Sequence, residues 1–172
     1  MKKLISLLLL CSFYCVPVSV PGAGDVPAVC GKEQKTENWK KLFGNNLFDA
    51  DGKKVPVGKA IKKKYVGIYG SASWCGPCRM FTPKLIEFYK KNKNKIDIVL
   101  IGFHWTQEDV CSYMKKYNMP WAGTYRTENV EKFIERHNIP GIPDLRIFTH
   151  GGEQVIADAY DLNALQKFLD EN

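Results

Sequence analysis

The sequence reads as an α/β fold: a central mixed β-sheet flanked by helices, with an N-terminal β-hairpin extension. Three features carry that reading. Two apolar runs, residues 65–70 and 96–103, are each followed by a stretch with helical periodicity, the signature of βα units and parallel strands. Two further strand-like segments, 144–149 and 153–157, are joined by the tight turn His150-Gly151-Gly152, which makes part of the sheet antiparallel. Between the first strand and the first long helix stands Trp74-Cys75-Gly76-Pro77-Cys78, a sulfur pair at a strand-to-helix junction. A chain of 172 residues, 45% hydrophobic, is long enough for one domain with a sizeable core.

Residues 1–24 read as a secretory signal peptide: Lys2 and Lys3, an apolar run from Leu4 to about Val20, then Pro21-Gly22-Ala23-Gly24, with cleavage after Gly24 or as late as Ala28. The alternative is an uncleaved anchor, because the run lies near the lower limit of the roughly 17–25 residues that span a bilayer. The first reading makes the domain periplasmic or secreted, and the second ties it to a membrane. Both put it outside the cytosol.

Residues 25–44 form a loop and a short helix at 38–43, and the domain proper is 45–172. Residues 47–50 and 53–57 flank Asp51-Gly52, a strong turn dipeptide, and predict the hairpin. One helical turn follows at 59–63, then the strand at 65–70. From 75 to 92, Phe81, Leu85, Phe88 and Tyr89 line one face of an amphipathic helix that carries Pro83 within it. The near-continuous apolar run 96–103 predicts a central strand covered on both faces. Thr106 caps the next helix, with Glu108 and Asp109 in its first turn and Val110, Tyr113, Met114 and Tyr117 inward. Another helix at 129–137 buries Val130, Phe133 and Ile134. After the two closing strands, Asp161 opens a final helix whose inward face is Leu162, Leu165, Phe168 and Leu169.

The formal charge is +7, and losing Lys2 and Lys3 with the signal peptide leaves the domain mildly basic. The lysines are scattered among acids without the aromatic or glycine-rich pattern of a nucleic-acid reader, so no nucleic-acid partner is expected. Zinc needs two further ligands at close spacing; His104, His137 and His150 are isolated, and neither Cys30 nor Cys111 belongs to a second Cys-x-x-Cys. No metal site and no cofactor are expected.

Of the six cysteines, four lie beyond the signal peptide: Cys30, Cys75, Cys78 and Cys111. Cys30 and Cys111 either form a structural disulfide or remain separate thiols, and spacing leaves both open. For Cys75 the position is more telling. A sulfur at a helix N-terminus meets unpaired N–H groups and the positive end of the macrodipole, which lower its pKa below the ordinary thiol value. Since the thiolate is the nucleophile in disulfide exchange, Cys75 is the attacking residue. Cys78, nearly one turn on and deeper, is the resolving one. Pro77 costs no hydrogen bond in a first helical turn, and Gly76 leaves room for a partner chain.

These residues resemble the thioredoxin superfamily. Trp74-Cys75-Gly76-Pro77-Cys78 matches the active-site motif of thioredoxin, Pro83 matches its helix proline, and Ile142-Pro143 before a strand matches its cis-proline segment, over about residues 45–170. The stretches Ser71-Ala72-Ser73-Trp74-Cys75, Cys78 to Tyr89 and Met119-Pro120-Trp121 are similar to the tryparedoxin and nucleoredoxin branch, and Asp51-Gly52-Lys53 also fits exported bacterial relatives. The chain departs from tryparedoxins at Gly76, where they carry proline, and in its signal peptide, so trypanothione is not carried over as reductant. The resemblance implies that Pro143 is cis and lies beside the cysteines, and that Trp74, Gly76, Pro77, Ile142 and Pro143 bind a polypeptide substrate. It also implies that thioredoxin's buried aspartate is replaced here by Tyr69. His104 reads as a strand-end residue rather than a proton carrier.

The expected function is an extracytoplasmic thiol-disulfide oxidoreductase, maintaining redox homeostasis by reducing disulfides in exported proteins and recharged by a membrane-bound electron donor. The Gly-Pro interior resembles the reducing end of the superfamily, where thioredoxin lies near about −270 mV against about −120 mV for the strongest bacterial oxidant. The alternatives are a disulfide-forming oxidase or isomerase using the same cysteines, and a non-catalytic polypeptide-binding module.

Overall fold

The computed structural model describes residues 36–172. The expected signal peptide, its expected cleavage sites and Cys30 lie outside the described residues. The elements run α1 (Trp39–Phe43), α2 (Val57–Ala60), β1 (Tyr65–Ser71), α3 (Gly76–Asn92), β2 (Ile96–Gly102), α4 (Gln107–Tyr117), β3 (Ala122–Thr124), α5 (Glu128–Arg136), β4 (Asp144–Thr149), β5 (Gln154–Ile156) and α6 (Leu162–Glu171). The five strands form one sheet in the order β3-β2-β1-β4-β5. β1, β2 and β3 are parallel, β4 runs antiparallel to β1, and β5 antiparallel to β4.

The apolar runs of β1 and β2 are continuous because each strand serves two cores. Side chains alternate across a strand, so Tyr69, Ile98 and Leu100 face α3, α4 and α6, where Leu85, Tyr113 and Leu165 meet them. Val66, Ile68, Val99 and Ile101 face α1 and α5, packing on Phe43, Val130 and Phe133. Helices therefore cover both faces, as the sequence predicts. The helix starts are satisfied by side chains: Asn38 accepts from Lys41 N–H, Thr106 from Asp109 N–H, Thr127 from Val130 N–H, and Asp161 from Asn163 and Ala164 N–H.

Three details differ from the sequence reading. The N-terminal hairpin is not formed. The turn at Asp51-Gly52 is present, with Gly52 at φ 79° and Asp49 N–H donating to Lys53 O at 2.9 Å. The flanking segments join through a single bridge, Phe48 with Lys54, closed by Asp49 N–H to Lys53 O and Val55 N–H to Leu47 O, both at 2.9 Å, while the N–H and C=O of Phe48 point the other way and exchange bonds with Gly123 at 3.0 and 2.9 Å. The segment thus docks on the sheet edge through β3 and pairs with itself at that one bridge, short of a ladder. That edge strand, Ala122–Thr124, is the second difference: it is a short strand that the sequence reading passes over. Third, the helical turn expected at 59–63 sits earlier, at Val57–Ala60, where Pro56 precedes it and its carbonyl accepts from Ala60 N–H.

Candidate active site

β1 delivers the chain to Ser71, and the loop Ala72-Ser73-Trp74 carries it into α3. Cys75 is the N-cap of that helix, in extended conformation, with Cys78 N–H donating to its Sγ at 3.2 Å. Cys75 and Cys78 form a disulfide, their Cα atoms 5.2 Å apart. Both sulfurs are shielded, Cys75 at 6% exposure and Cys78 at 0%, so only the Cys75 side has any opening to solvent. Ala72, Phe103 and Ile142 pack around the pair. Trp74 is exposed, and a Cβ placed on Gly76 meets nothing within 4 Å, which leaves open ground above Cys75. Pro77 lies in the first helical turn and Pro83 farther inside the same helix.

The Ile142–Pro143 peptide is cis, and the carbonyl oxygen of Ile142 lies 3.6 Å from Cys75 Sγ. The segment that the resemblance assigned to substrate binding is therefore in contact with the sulfur pair. A groove of about 310 Å³ runs along this side between Ile142, Pro143 and Tyr160. Its floor holds a buried ion pair, Arg146 Nε donating to Asp144 Oδ1 at 2.9 Å. Burial raises the Asp144 carboxyl above its ordinary value, with Arg146 opposing. Burial and the nearby Asp144 and Asp158 push the Tyr160 phenol up to about 12.

Behind Cys78 stand four buried hydroxyls. Thr82 Oγ1 donates to the Cys78 carbonyl at 2.8 Å and lies 2.9 Å from both Tyr69 Oη and Tyr113 Oη. Ser71 Oγ closes the ring, 3.0 Å from Tyr69 Oη and 2.9 Å from Tyr113 Oη. Burial pushes the Tyr69 phenol far above its ordinary value, against the hydrogen bonds from Ser71 and Thr82, so it stays neutral throughout the working pH range. A neutral ring thus occupies the ground where the sequence comparison placed Tyr69 instead of a carboxylate. The sequence reading found Tyr69 but missed Ser71 and Thr82 and took Tyr113 for plain core. The available signal was spacing: Ser71 is two residues from Tyr69 on one strand face, and Thr82 is four residues from Cys78 on one helix face.

On the opposite side, Trp74, Phe103, His104, Trp105 and Arg126 line a cavity of about 460 Å³. Trp105 is the most exposed large side chain near the site, at 80%. The Arg126 guanidinium stacks on Phe103 and Trp105, 5.2 and 5.3 Å from the ring centres, and is held by both carboxylate oxygens of Glu131. Cys111 is distant from this constellation; its thiol donates to Asp49 O at 3.8 Å and forms no disulfide among the described residues. The pairing with Cys30 lies outside them. Among the described residues no group of three or more His, Cys, Asp or Glu side chains is arranged to hold a metal, and no helix is long and apolar enough to cross a membrane.

A disulfide capping a helix, beside a cis-proline at the head of an antiparallel strand, is an arrangement suited to sulfur exchange, and the chain is similar to known proteins. A family model described as Thioredoxin-like matches residues 62–154. Probable nucleoredoxin 1 of Arabidopsis thaliana is 36% identical over 113 residues, 63% of this chain and 19% of that protein. Tryparedoxin of Trypanosoma brucei brucei is 42% identical over 78 residues, 44% of this chain and 51% of that one. The chain spans about a fifth to a quarter of the length of the nucleoredoxins it matches. Among solved structures, tryparedoxin II from C. fasciculata superposes with a TM-score of 0.65 at 27% identity, covering 77% of this chain and 91% of that one. Thioredoxin from Wuchereria bancrofti gives 0.62 at 28%, covering 76% and 98%. The chain belongs to the Thioredoxin-like family, closely related to its tryparedoxin and nucleoredoxin branch, and its Cys75–Cys78 pair forms an active site of the thiol-disulfide oxidoreductase type.

Proposed function

We propose that the protein works outside the cytosol, reducing disulfides in exported proteins, with Cys75 as nucleophile and Cys78 as resolving residue. The carrying observation is the asymmetry of the pair: Cys75 Sγ caps α3 and lies toward the open ground at Gly76, while Cys78 is fully enclosed. In the reduced protein the Cys75 thiolate attacks one sulfur of a substrate disulfide, forming a mixed disulfide and releasing the other substrate sulfur as thiolate. Cys78 then loses its proton and attacks Cys75 Sγ. The second substrate thiolate leaves, the substrate has gained two electrons, and the Cys75–Cys78 disulfide has formed. Trp74, Gly76, Pro77, Ile142 and Pro143 bind the substrate chain around the sulfurs.

The ring of Tyr69, Ser71, Thr82 and Tyr113 shapes the resolving step. A carboxylate next to Cys78 would hold its thiol pKa up by like-charge repulsion. Neutral hydroxyls impose no such charge, and the Cys78 proton leaves to solvent once the mixed disulfide opens the site. With the N-terminal segment acting as a signal peptide, the chemistry takes place in an oxidising space and a membrane-bound dithiol donor returns two electrons to the pair after each cycle.

Insulin-disulfide reduction tests the reading: activity present in the wild type and abolished by Cys75→Ser is the expected result. Activity retained in that variant would refute it. N-terminal sequencing of the protein recovered from outside the cytosol tests the compartment, with Asp25 or Val29 as the expected first residue.

A further inference from the structure

His104 lies two residues beyond β2 and is buried, at 6% exposure. The backbone N–H of Ser73 donates to its Nε2 at 3.2 Å, and the Ser73 hydroxyl lies 3.0 Å from the same nitrogen. A ring nitrogen that accepts an N–H carries no proton, so the imidazole is neutral and its proton sits on Nδ1. Nδ1 is itself buried without a hydrogen-bond partner. The imidazole therefore makes its polar contacts through Nε2 alone, and both go to the loop that leads into Cys75.

The neighbours on each side give this contact a consequence. Trp74 follows Ser73 and Trp105 follows His104, and both indoles stand exposed as walls of one cavity. Joining Ser73 to His104 fixes the spacing of those walls and the approach of the chain to Cys75. The groups facing the ring are Asp109 and Tyr113 of α4, the latter 5.9 Å away between ring centres, and Arg126, which Glu131 already engages. The Cys75–Cys78 pair follows on the Ser73 side. Burial lowers the His104 pKa from its ordinary 6.5, with Asp109 pulling the other way.

Building on the proposed exchange activity, we propose that His104 is a positioning residue whose neutral imidazole pins the Ser73 backbone, holding Trp74 and Cys75 in place against Trp105, and that protonation breaks this backbone bond. An imidazolium only donates, so a proton arriving at Nε2 confronts the Ser73 N–H with another donor and breaks that bond, leaving only the Ser73 hydroxyl, turned to accept, on the ring. The pin holds above the folded-state pKa of His104 and is lost as pH falls through it.

The test follows insulin reduction, with dithiothreitol as electron source, across about pH 5 to 8 for wild type, His104→Gln and His104→Ala. Gln places a carbonyl oxygen where Nε2 stands and does not titrate. Near neutral pH, His104→Ala is expected to lose roughly three- to tenfold in kcat/KM, the range one such hydrogen bond supports. His104→Gln is expected to stay within about twofold of wild type. Cys75 titrates in all three proteins, so the informative quantity is the wild-type to Gln ratio, which should fall as pH drops. Equal losses in both variants, or a ratio that does not change with pH, would overturn the pin. If the wild type itself reduces no insulin, the exchange reading fails instead. The pin is then judged by NMR on the oxidised protein: the Ser73 amide shift should follow the imidazole titration in wild type and lose that dependence in His104→Gln. A Ser73 amide indifferent to His104 protonation overturns it.

Discussion

The Thr82 hydroxyl donates to the backbone carbonyl of Cys78 at 2.8 Å, binding the enclosed cysteine's helical turn to three further buried hydroxyls. Removing that hydroxyl takes one bond each from the Cys78 carbonyl, Tyr69 and Tyr113, all buried, and leaves the tyrosines only Ser71. Thr82→Val, similar in shape, should lower the unfolding free energy by roughly 1–3 kcal/mol, the cost of leaving buried polar groups unsatisfied. Urea unfolding followed by circular dichroism measures it, and Ser71→Ala should cost less because it removes two bonds of the ring and leaves the Thr82 bond to the Cys78 carbonyl in place.

Glu37 ties the start of the described chain to α5. Its carboxylate accepts from Arg136 Nη1 at 2.6 Å and lies 2.7 Å from His137 Nε2. Burial alone would raise its pKa, but the hydrogen bonds from His137 and Arg136 outweigh burial and hold it below the ordinary 4.5. A depressed carboxyl stabilises the fold above its unfolded pKa and loses that contribution as pH falls through the folded value. Glu37→Gln should therefore cost roughly 1–3 kcal/mol at pH 7, moderated by the partial exposure of Arg136. The gap between variant and wild type should close as pH falls below 4.5, and unfolding curves across that range measure it.

Trp105 and Trp74 present large apolar faces beside the sulfur pair, at 80% and 64% exposure. Exposed aromatics of this kind dominate binding where a partner covers them. Trp105→Ala should raise KM for insulin by about tenfold and leave the equilibrium of the Cys75/Cys78 couple unchanged. Steady-state kinetics read the first and glutathione titration the second.

The Cys75/Cys78 couple should be reducing. Equilibration in glutathione buffers should place it nearer to about −270 mV than to about −180 mV, the region of protein disulfide isomerase. A value above about −180 mV would favour the oxidase or isomerase reading.

Much of this was legible in the chain because strong local patterns marked it. The apolar runs of β1 and β2 announce strands covered on both faces, and the Trp-Cys-Gly-Pro-Cys motif announces the helix-capping sulfur. The hairpin and the missing strand were misread together for one reason. Ala122-Gly123-Thr124 has no periodicity to announce it, so nothing signalled that the outward N–H and C=O of Phe48 would join Gly123 and make the segment an edge of the sheet with one internal bridge. The hydroxyl ring was hidden differently: Tyr69 and Ser71 come from β1, Thr82 from α3 and Tyr113 from α4, and only the packed fold brings them to 3 Å of one another. His104 likewise gains its meaning from Ser73, which lies 31 residues away.

The division of labour between the two cysteines is tested most directly by trapping the mixed disulfide. Reduced Cys78→Ser protein incubated with a disulfide-containing polypeptide should accumulate a covalent complex through Cys75, visible on non-reducing gels and released by dithiothreitol. Reduced Cys75→Ser protein should accumulate none, because Cys78 is enclosed. A complex that forms through Cys78 and not through Cys75 would contradict the assignment of attack to the helix-capping sulfur.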